Sequence, residues 1–157
     1  LNKTCFNGLY RVNSKGYFNV PFGRYANPNF LNKDALFAAS EVLQTAQIEC
    51  ADFENILKYV SKGDFVYFDP PYIPLSQTAS FTSYAKEDFG MDKQRQLKSL
   101  CDRLSDIGVM FMLSNSDTPE ANSLYNGYKV EKIYASRFIN SKADGRGKIS
   151  EIIVRNY

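Results

Sequence analysis

The chain has 157 residues, 44% of them hydrophobic and 23% charged, a globular composition with enough apolar side chains for one domain's core. It has no run of about 18 apolar residues, which argues against a helical membrane span. Its three cysteines, Cys5, Cys50 and Cys101, are too far apart for a disulfide framework or a zinc ribbon, so a soluble protein of the reducing cytoplasm is expected. Histidine is absent, which excludes Ser-His-Asp and Cys-His nucleophilic machinery, histidine proton shuttles and most zinc or iron ligand sets; no metal is expected. The net charge of +2 is unevenly spread. Residues 1–33 carry five bases and no acid, residues 34–128 seven bases against fourteen acids, and residues 129–157 seven bases against three acids. Basic ends around an acidic middle suit a surface that meets a polyanion, although charged stretches of this length are more often solvated faces.

Taken in chain order, residues 1–25 alternate polar with apolar or aromatic positions around Asn13-Ser14-Lys15-Gly16, the pattern of a β-hairpin. Lys33 to Gln44 reads as a helix capped by Asn32, with Leu36, Phe37 and Leu43 among its apolar positions. Ala46 to Cys50 is a short strand candidate. Asp52 can cap a helix from Phe53 to Val60, closed by Ser61-Lys62-Gly63. Asp64 to Phe68 is too short for a helix and too continuously apolar for a half-exposed strand, so it is expected to be a central strand covered on both faces. Pro70 and Pro71 stop it because neither has an N–H to give to a ladder.

Residues 73–90 lack periodicity and read as a long surface loop. Asp92 is expected to cap a helix to about Asp106, with Leu97, Leu100, Cys101 and Leu104 on one stripe and Gly108 at its end. Val109 to Leu113 follows as a second apolar strand, after which Ser114, Asn115 and Asp117 read as turn residues. A short helix near Pro119 to Tyr125 precedes strands at Lys129–Phe138 and Ile149–Arg155, joined by a basic segment from Asn140 to Lys148. This order predicts an open α/β sheet with right-handed crossovers.

Asp69-Pro70-Pro71-Tyr72 carries the chemistry. It sits at the carboxyl end of a buried strand, where open α/β sheets place their ligands. A rigid turn with a capping carboxylate explains the prolines without requiring Tyr72. The chemical reading starts from the exocyclic amine of adenine, whose lone pair is delocalised into the ring. A carboxylate and a backbone carbonyl, both acceptors only, can take its two hydrogens and direct that lone pair at a methyl donor. Asp69 supplies the carboxylate, Pro70 the carbonyl, and Tyr72 an aromatic face worth about 1–3 kcal/mol to a stacked base. Nothing in this scheme needs imidazole or a metal.

These residues resemble the S-adenosylmethionine-dependent amino-methyltransferases, and within them the Dam-type, D12-class DNA adenine N6-methyltransferases that modify GATC. The resemblance covers nearly the whole chain. It rests on Asn7 to Asn13, Phe18 to Tyr25, Asp69-Pro70-Pro71-Tyr72 with Pro74-Leu75-Ser76 and Thr78-Ala79, Phe81-Thr82 with Tyr84, Leu113 to Asp117, and the basic tail through Asn156-Tyr157. It implies a partial Rossmann-like methyltransferase sheet at 31–157, preceded by a DNA-recognition β-hairpin at 1–30. It also implies that Arg11 reads guanine O6 and N7, that Leu9 and Pro21 touch the thymine methyl, and that Phe6, Asn7 and Tyr25 wedge or support the duplex. Asn13, Asn19 and Arg24 of the ribbon join the expected DNA-binding set. Asp52 and Phe53 fall where the family holds the cofactor's adenine, beside Asp69, although a helix cap explains Asp52 equally well. Phe81 and Tyr84 would grip the extruded base or anchor the core. Arg137, Asn140, Lys142, Arg146 and Lys148 would meet phosphates or simply be solvated.

The chain departs from the family pattern at its start. Neither an Ala-Gly-Gly-Lys-type stretch nor an aromatic-x-Gly-x-Gly loop occurs, and Gly8, Gly16 and Gly23 are too widely spaced for one. A carboxyl-terminal portion is therefore expected, needing the amino-terminal part of the same protein and binding S-adenosylmethionine weakly or not at all alone. Two other readings stand beside it: an RNA or protein amino-methyltransferase, and a non-catalytic DNA-binding fragment.

Overall fold

The computed structural model describes residues 3–75, 89–136 and 148–157, without the side chains of 135, 136, 148 and 149. It divides into two compact units: Leu1–Cys50 with Ser136–Gly147, and Ala51–Ala135 with Lys148–Tyr157. No described helix is long and apolar enough to cross a membrane.

In the first unit the 3–25 segment folds back on itself through two isolated antiparallel bridges, Cys5 with Phe22 and Val12 with Phe18. The reversal is made by Asn13, whose side-chain oxygen accepts from the amides of Lys15 (2.9 Å) and Tyr17 (3.1 Å). Gly23 is closely approached: a Cβ there would stand 2.2 Å from the Tyr25 ring, which would have to move, and 3.2 Å from the Cys5 carbonyl. Helix α1 spans Lys33–Leu43, and the Asn32 side chain accepts from Ala35 N as expected of its cap. Leu36, Phe37 and Leu43 are 50–61% exposed, so propensity and the cap, rather than described packing, account for this helix. The strand expected at Ala46–Cys50 does not form. Ile48 is 73% exposed, and with no described neighbour to take its backbone groups, β-propensity alone makes no ladder.

The second unit carries a four-stranded sheet in the order β1-β2-β4-β3, from β1 (Phe65–Phe68), β2 (Met110–Ser116), β3 (Lys129–Ser136) and β4 (Lys148–Arg155). β1 and β2 run parallel, joined through α2 (Met91–Asp106), and β4 runs antiparallel to β2. Register aligns Val66 with Phe111, Phe68 with Leu113, and Leu113 with Val154, so these side chains share one face. That face packs on Leu97, Leu100, Cys101 and Leu104 of α2, all no more than 1% exposed. The three leucines contribute roughly 5–9 kcal/mol of transfer free energy, an upper bound for an extended reference chain.

Several boundaries differ from the sequence reading. The segment after Asp52 is a 3₁₀ turn, Phe53–Lys58, rather than a helix to Val60. Gly90, not Asp92, stands at the N-cap of α2, and Asp92 lies in the first turn, where its charge suits the helix dipole. Gly108, at φ +76°, ends the helix in a conformation that disfavours a side chain. β1 is an edge of the described sheet, and its two faces differ: Val66 and Phe68 are buried, whereas Phe65 and Tyr67 on the other side are 52% and 54% exposed. A short third helix, α3, spans Pro119–Leu124 with Thr118 as its cap.

Candidate active site

Strand alternation and a helix position the site. Phe68 points into the core, so the next residue, Asp69, emerges on the opposite face with Tyr67. The register brings Ser114 onto that same face, one alternate position beyond Met112, the partner of Tyr67. Ser114 therefore links the two strands: its hydroxyl donates to Asp69 Oδ1 at 3.0 Å and accepts from Tyr67 OH at 3.1 Å. The turn expected at Ser114 and Asn115 is instead the end of β2, which continues because β4 supplies partners for Ser114, Asn115 and Ser116. Asp117 follows the strand. It accepts from Asn122 and pairs with Lys132, and those contacts, Lys132 first, lower its carboxyl to about 2.

A cavity of about 450 Å³ opens beside Asp69, within the range of small-molecule sites. Tyr67, Asp69, Pro70 and Pro71 line one part of it, and Ala51, Asp52, Phe53, Phe89 and Lys93 another. Asp52 does cap its turn, accepting from Glu54 N at 3.0 Å. This backbone bond foremost, with Lys93 assisting, lowers its carboxyl below the usual range. Lys93 Nζ lies 3.5 Å from Asp52 Oδ2 and 5.6 Å from the centre of the Phe53 ring, which in turn meets Phe89 edge-on at 6.0 Å. Asp52 is thus a cap, as one of its two readings expects, and it also lines the cavity: Oδ1 holds the turn while Oδ2 lies near the Lys93 ammonium.

Thus the structure brings Asp52, Phe53, Asp69, Pro70 and Pro71 to one cavity. Tyr72, the last residue of the motif, is half-buried, and desolvation pushes its phenol above the usual range. The Pro70 carbonyl accepts no hydrogen bond among the described residues. Sequence reasoning missed Lys93 and Gln94. Gln94 left a signal, since it is a polar residue three before Leu97 on the apolar stripe of α2; nothing in the sequence singles out Lys93.

The expected DNA-binding residues of the ribbon lie in the first unit. Arg11 is exposed and anchored, its Nε donating to Asn19 Oδ1 at 2.9 Å and a terminal nitrogen to Asn19 O at 3.2 Å. Pro21 and Arg24 are exposed, Leu9 is half-buried, Phe6 and Tyr25 are each 44% exposed, and Asn7 sits at φ +51° in a 3₁₀ turn, Phe6–Gly8. Asn13 has its oxygen committed to the reversal. Phe81, Tyr84, Arg137, Asn140, Lys142 and Arg146 lie outside the described residues, as does the side chain of Lys148.

A mixed α/β sheet with an acidic side chain and a proline carbonyl at the end of a parallel strand, beside a small-molecule-sized cavity, has the arrangement of a ligand site on an α/β sheet. The family model for D12 class N6 adenine-specific DNA methyltransferases matches residues 1–139, and the chain belongs to that family. A type II methyltransferase of Lactococcus lactis subsp. cremoris is 51% identical over 97% of this chain and 54% of its own length. A type II methyltransferase of Methanocaldococcus jannaschii is 48% identical over 100% and 55%. A DNA adenine methylase of Vibrio cholerae is 38% identical over 98% and 55%. The chain therefore spans about half the length of the curated relatives it matches.

Proposed function

We propose that this chain is the carboxyl-terminal portion of an enzyme that transfers a methyl group from S-adenosylmethionine to adenine N6 in duplex DNA, at GATC, after flipping the base out of the helix. The observation that carries this reading is the placement of Asp69 and Pro70 on one cavity with Asp52 and Phe53. When bound, S-adenosylmethionine supplies an electrophilic methyl on a positively charged sulfur. The cavity residues fit such a group: Phe53 and Phe89 offer an aromatic wall, and the Asp52 carboxylate can accept from an adenine amine. Asp69 and the Pro70 carbonyl accept the two hydrogens of the target amine, so its lone pair is directed at the methyl donor. Asp69 or water would take the proton that the methylated amine sheds. Ser114, donating to Asp69 Oδ1, leaves Oδ2 for the amine. Tyr72 provides the stacking face.

In this reading the ribbon reads the duplex. Arg11 recognises guanine and Leu9 and Pro21 the thymine methyl, while Phe6, Asn7, Asn13, Asn19, Arg24 and Tyr25 support the contact and Phe81, Tyr84, Arg137 and Asn140 belong to the base-gripping and phosphate-contacting segments. The amino-terminal part supplies the rest of the cofactor site, so the isolated chain turns over poorly.

The test supplies the remaining residues of the Lactococcus relative in trans and follows methyl transfer to a GATC duplex. Transfer should appear, be abolished by Asp69→Ala with duplex binding within about threefold, and lose its sequence preference in Arg11→Ala at a cost of about 1–3 kcal/mol. Duplex binding without any transfer would instead favour a non-catalytic module, and transfer to RNA without duplex preference would exclude the DNA reading.

A further inference from the structure

The loop that carries Asp69 and Pro70 is clamped by a line of buried carboxamides. Gln94, on the first turn of α2, is 1% exposed, and its Nε2 donates to the Pro71 carbonyl at 2.8 Å. Its Oε1 accepts from Asn115 Nδ2 at 3.2 Å. Asn115 is fully buried at the end of β2, and its Oδ1 accepts from the amides of Ile73 (3.0 Å) and Ser116 (2.9 Å). The polarity of this relay is fixed by its ends: a carbonyl can only accept and a backbone amide can only donate, so neither carboxamide can turn over without opposing like groups.

We propose that Gln94 and Asn115 are positioning residues for the transfer step. Pro70 and Pro71 have no N–H, so the segment cannot hold itself by backbone donation there, and from Asp69 to Tyr72 the one described bond on its backbone is that of Gln94 to the Pro71 carbonyl. Gln94 takes the carbonyl of Pro71 and Asn115 the amide of Ile73, so the segment is held on both sides of Tyr72. The Pro70 carbonyl is thereby left as the acceptor that can face a substrate amine. Gln94 on the apolar stripe of α2 and Asn115 inside β2 are costly to bury unless bonded, and here both carboxamides are. Met or Leu at these positions would leave the Pro71 carbonyl and the Ile73 amide without these partners, with Ser114 on Asp69 and Ser116 on the Ile73 carbonyl as the remaining holds.

The inference rests on the methyl-transfer reading for its kinetic part only. The test uses Gln94→Met in the 157-residue chain, with native-state amide exchange at Ile73, and the same variant supplied with the relative's remaining residues, with kcat and duplex KM. Exchange at Ile73 should quicken by about tenfold or more while Phe111, held by Asn156 across the unit, is unchanged. kcat per folded molecule should fall about 10- to 100-fold with KM within threefold, since a loop misplaced by an ångström loses transition-state geometry rather than duplex affinity. Unchanged Ile73 exchange, or an unchanged kcat, overturns the proposal. If Gln94→Met collapses Phe111 exchange as well, Gln94→Leu, smaller and equally unable to donate to Pro71, gives the same comparison. Collapse in both variants also overturns it, since the carboxamides would then serve the core. If the unsubstituted pair transfers no methyl, the functional reading fails, and the exchange arm alone decides whether Gln94 holds the loop.

Discussion

Asn156 offers a direct test of how the second unit is locked. Its Oδ1 accepts from Phe111 N at 2.8 Å, and its Nδ2 donates to Val109 O and Ser105 Oγ, each at 2.9 Å. One side chain therefore ties the last residues of the chain to the end of α2 and the start of β2. Asn156→Ala removes three hydrogen bonds, each worth about 0.5–1.5 kcal/mol net, and leaves the backbone groups of Phe111 and Val109, both no more than 1% exposed, without those partners. Asn156 is itself only half-buried, so water relieves part of the penalty, and a loss of about 2–4 kcal/mol is expected. For a chain of this size that corresponds to a fall in Tm of roughly 5–15 °C. Urea unfolding followed by far-ultraviolet circular dichroism should show the midpoint moving to lower urea at constant m. A loss below about 0.5 kcal/mol would refute the reasoning, because it would mean that these three bonds are replaced by water at no cost.

Three further outcomes follow from the same structure. Tyr125 is fully buried and its hydroxyl has no hydrogen-bond partner among the described residues, so Tyr125→Phe should stabilise the chain by about 1 kcal/mol in the same urea assay; destabilisation would reveal a partner for the hydroxyl. Asp117 has a folded pKa of about 2, below an unfolded value near 4, so its contribution is present above pH 4 and lost as pH falls toward 2. Urea midpoints measured from pH 5 to pH 2 should therefore fall less steeply for Asp117→Asn than for the unsubstituted chain, and equal slopes would sink that assignment. Burial pushes the Cys101 thiol up to about 12, whereas Cys50 is exposed, so iodoacetamide at pH 8 should label Cys50 in the native chain and reach Cys101 only in urea; rapid native labelling of Cys101 would contradict its burial.

The elements governed by short-range chemistry were legible in advance. Asn32 as the cap of α1, Gly108 at the end of α2, the leucine stripe of α2 and the strand halted by Pro70 each follow from side-chain or backbone properties within a few residues, and each stands where the sequence places it. The Asp-Pro-Pro-Tyr motif was equally readable, because prolines at a strand end leave few conformations. What needed the tertiary structure was pairing over long separations. β2 extends to Ser116 because β4 lies beside it, β1 is an edge of the described sheet with Phe65 and Tyr67 half exposed, and Ala46–Cys50 is no strand because it has no described partner. Ser114 meets Asp69 through strand register, and Gln94 meets Pro71 through the seating of a helix on a sheet. Local propensity fixes a residue's own φ and ψ, but which donor faces which acceptor across tens of residues is decided only when the core closes and buried polar groups are brought to their partners.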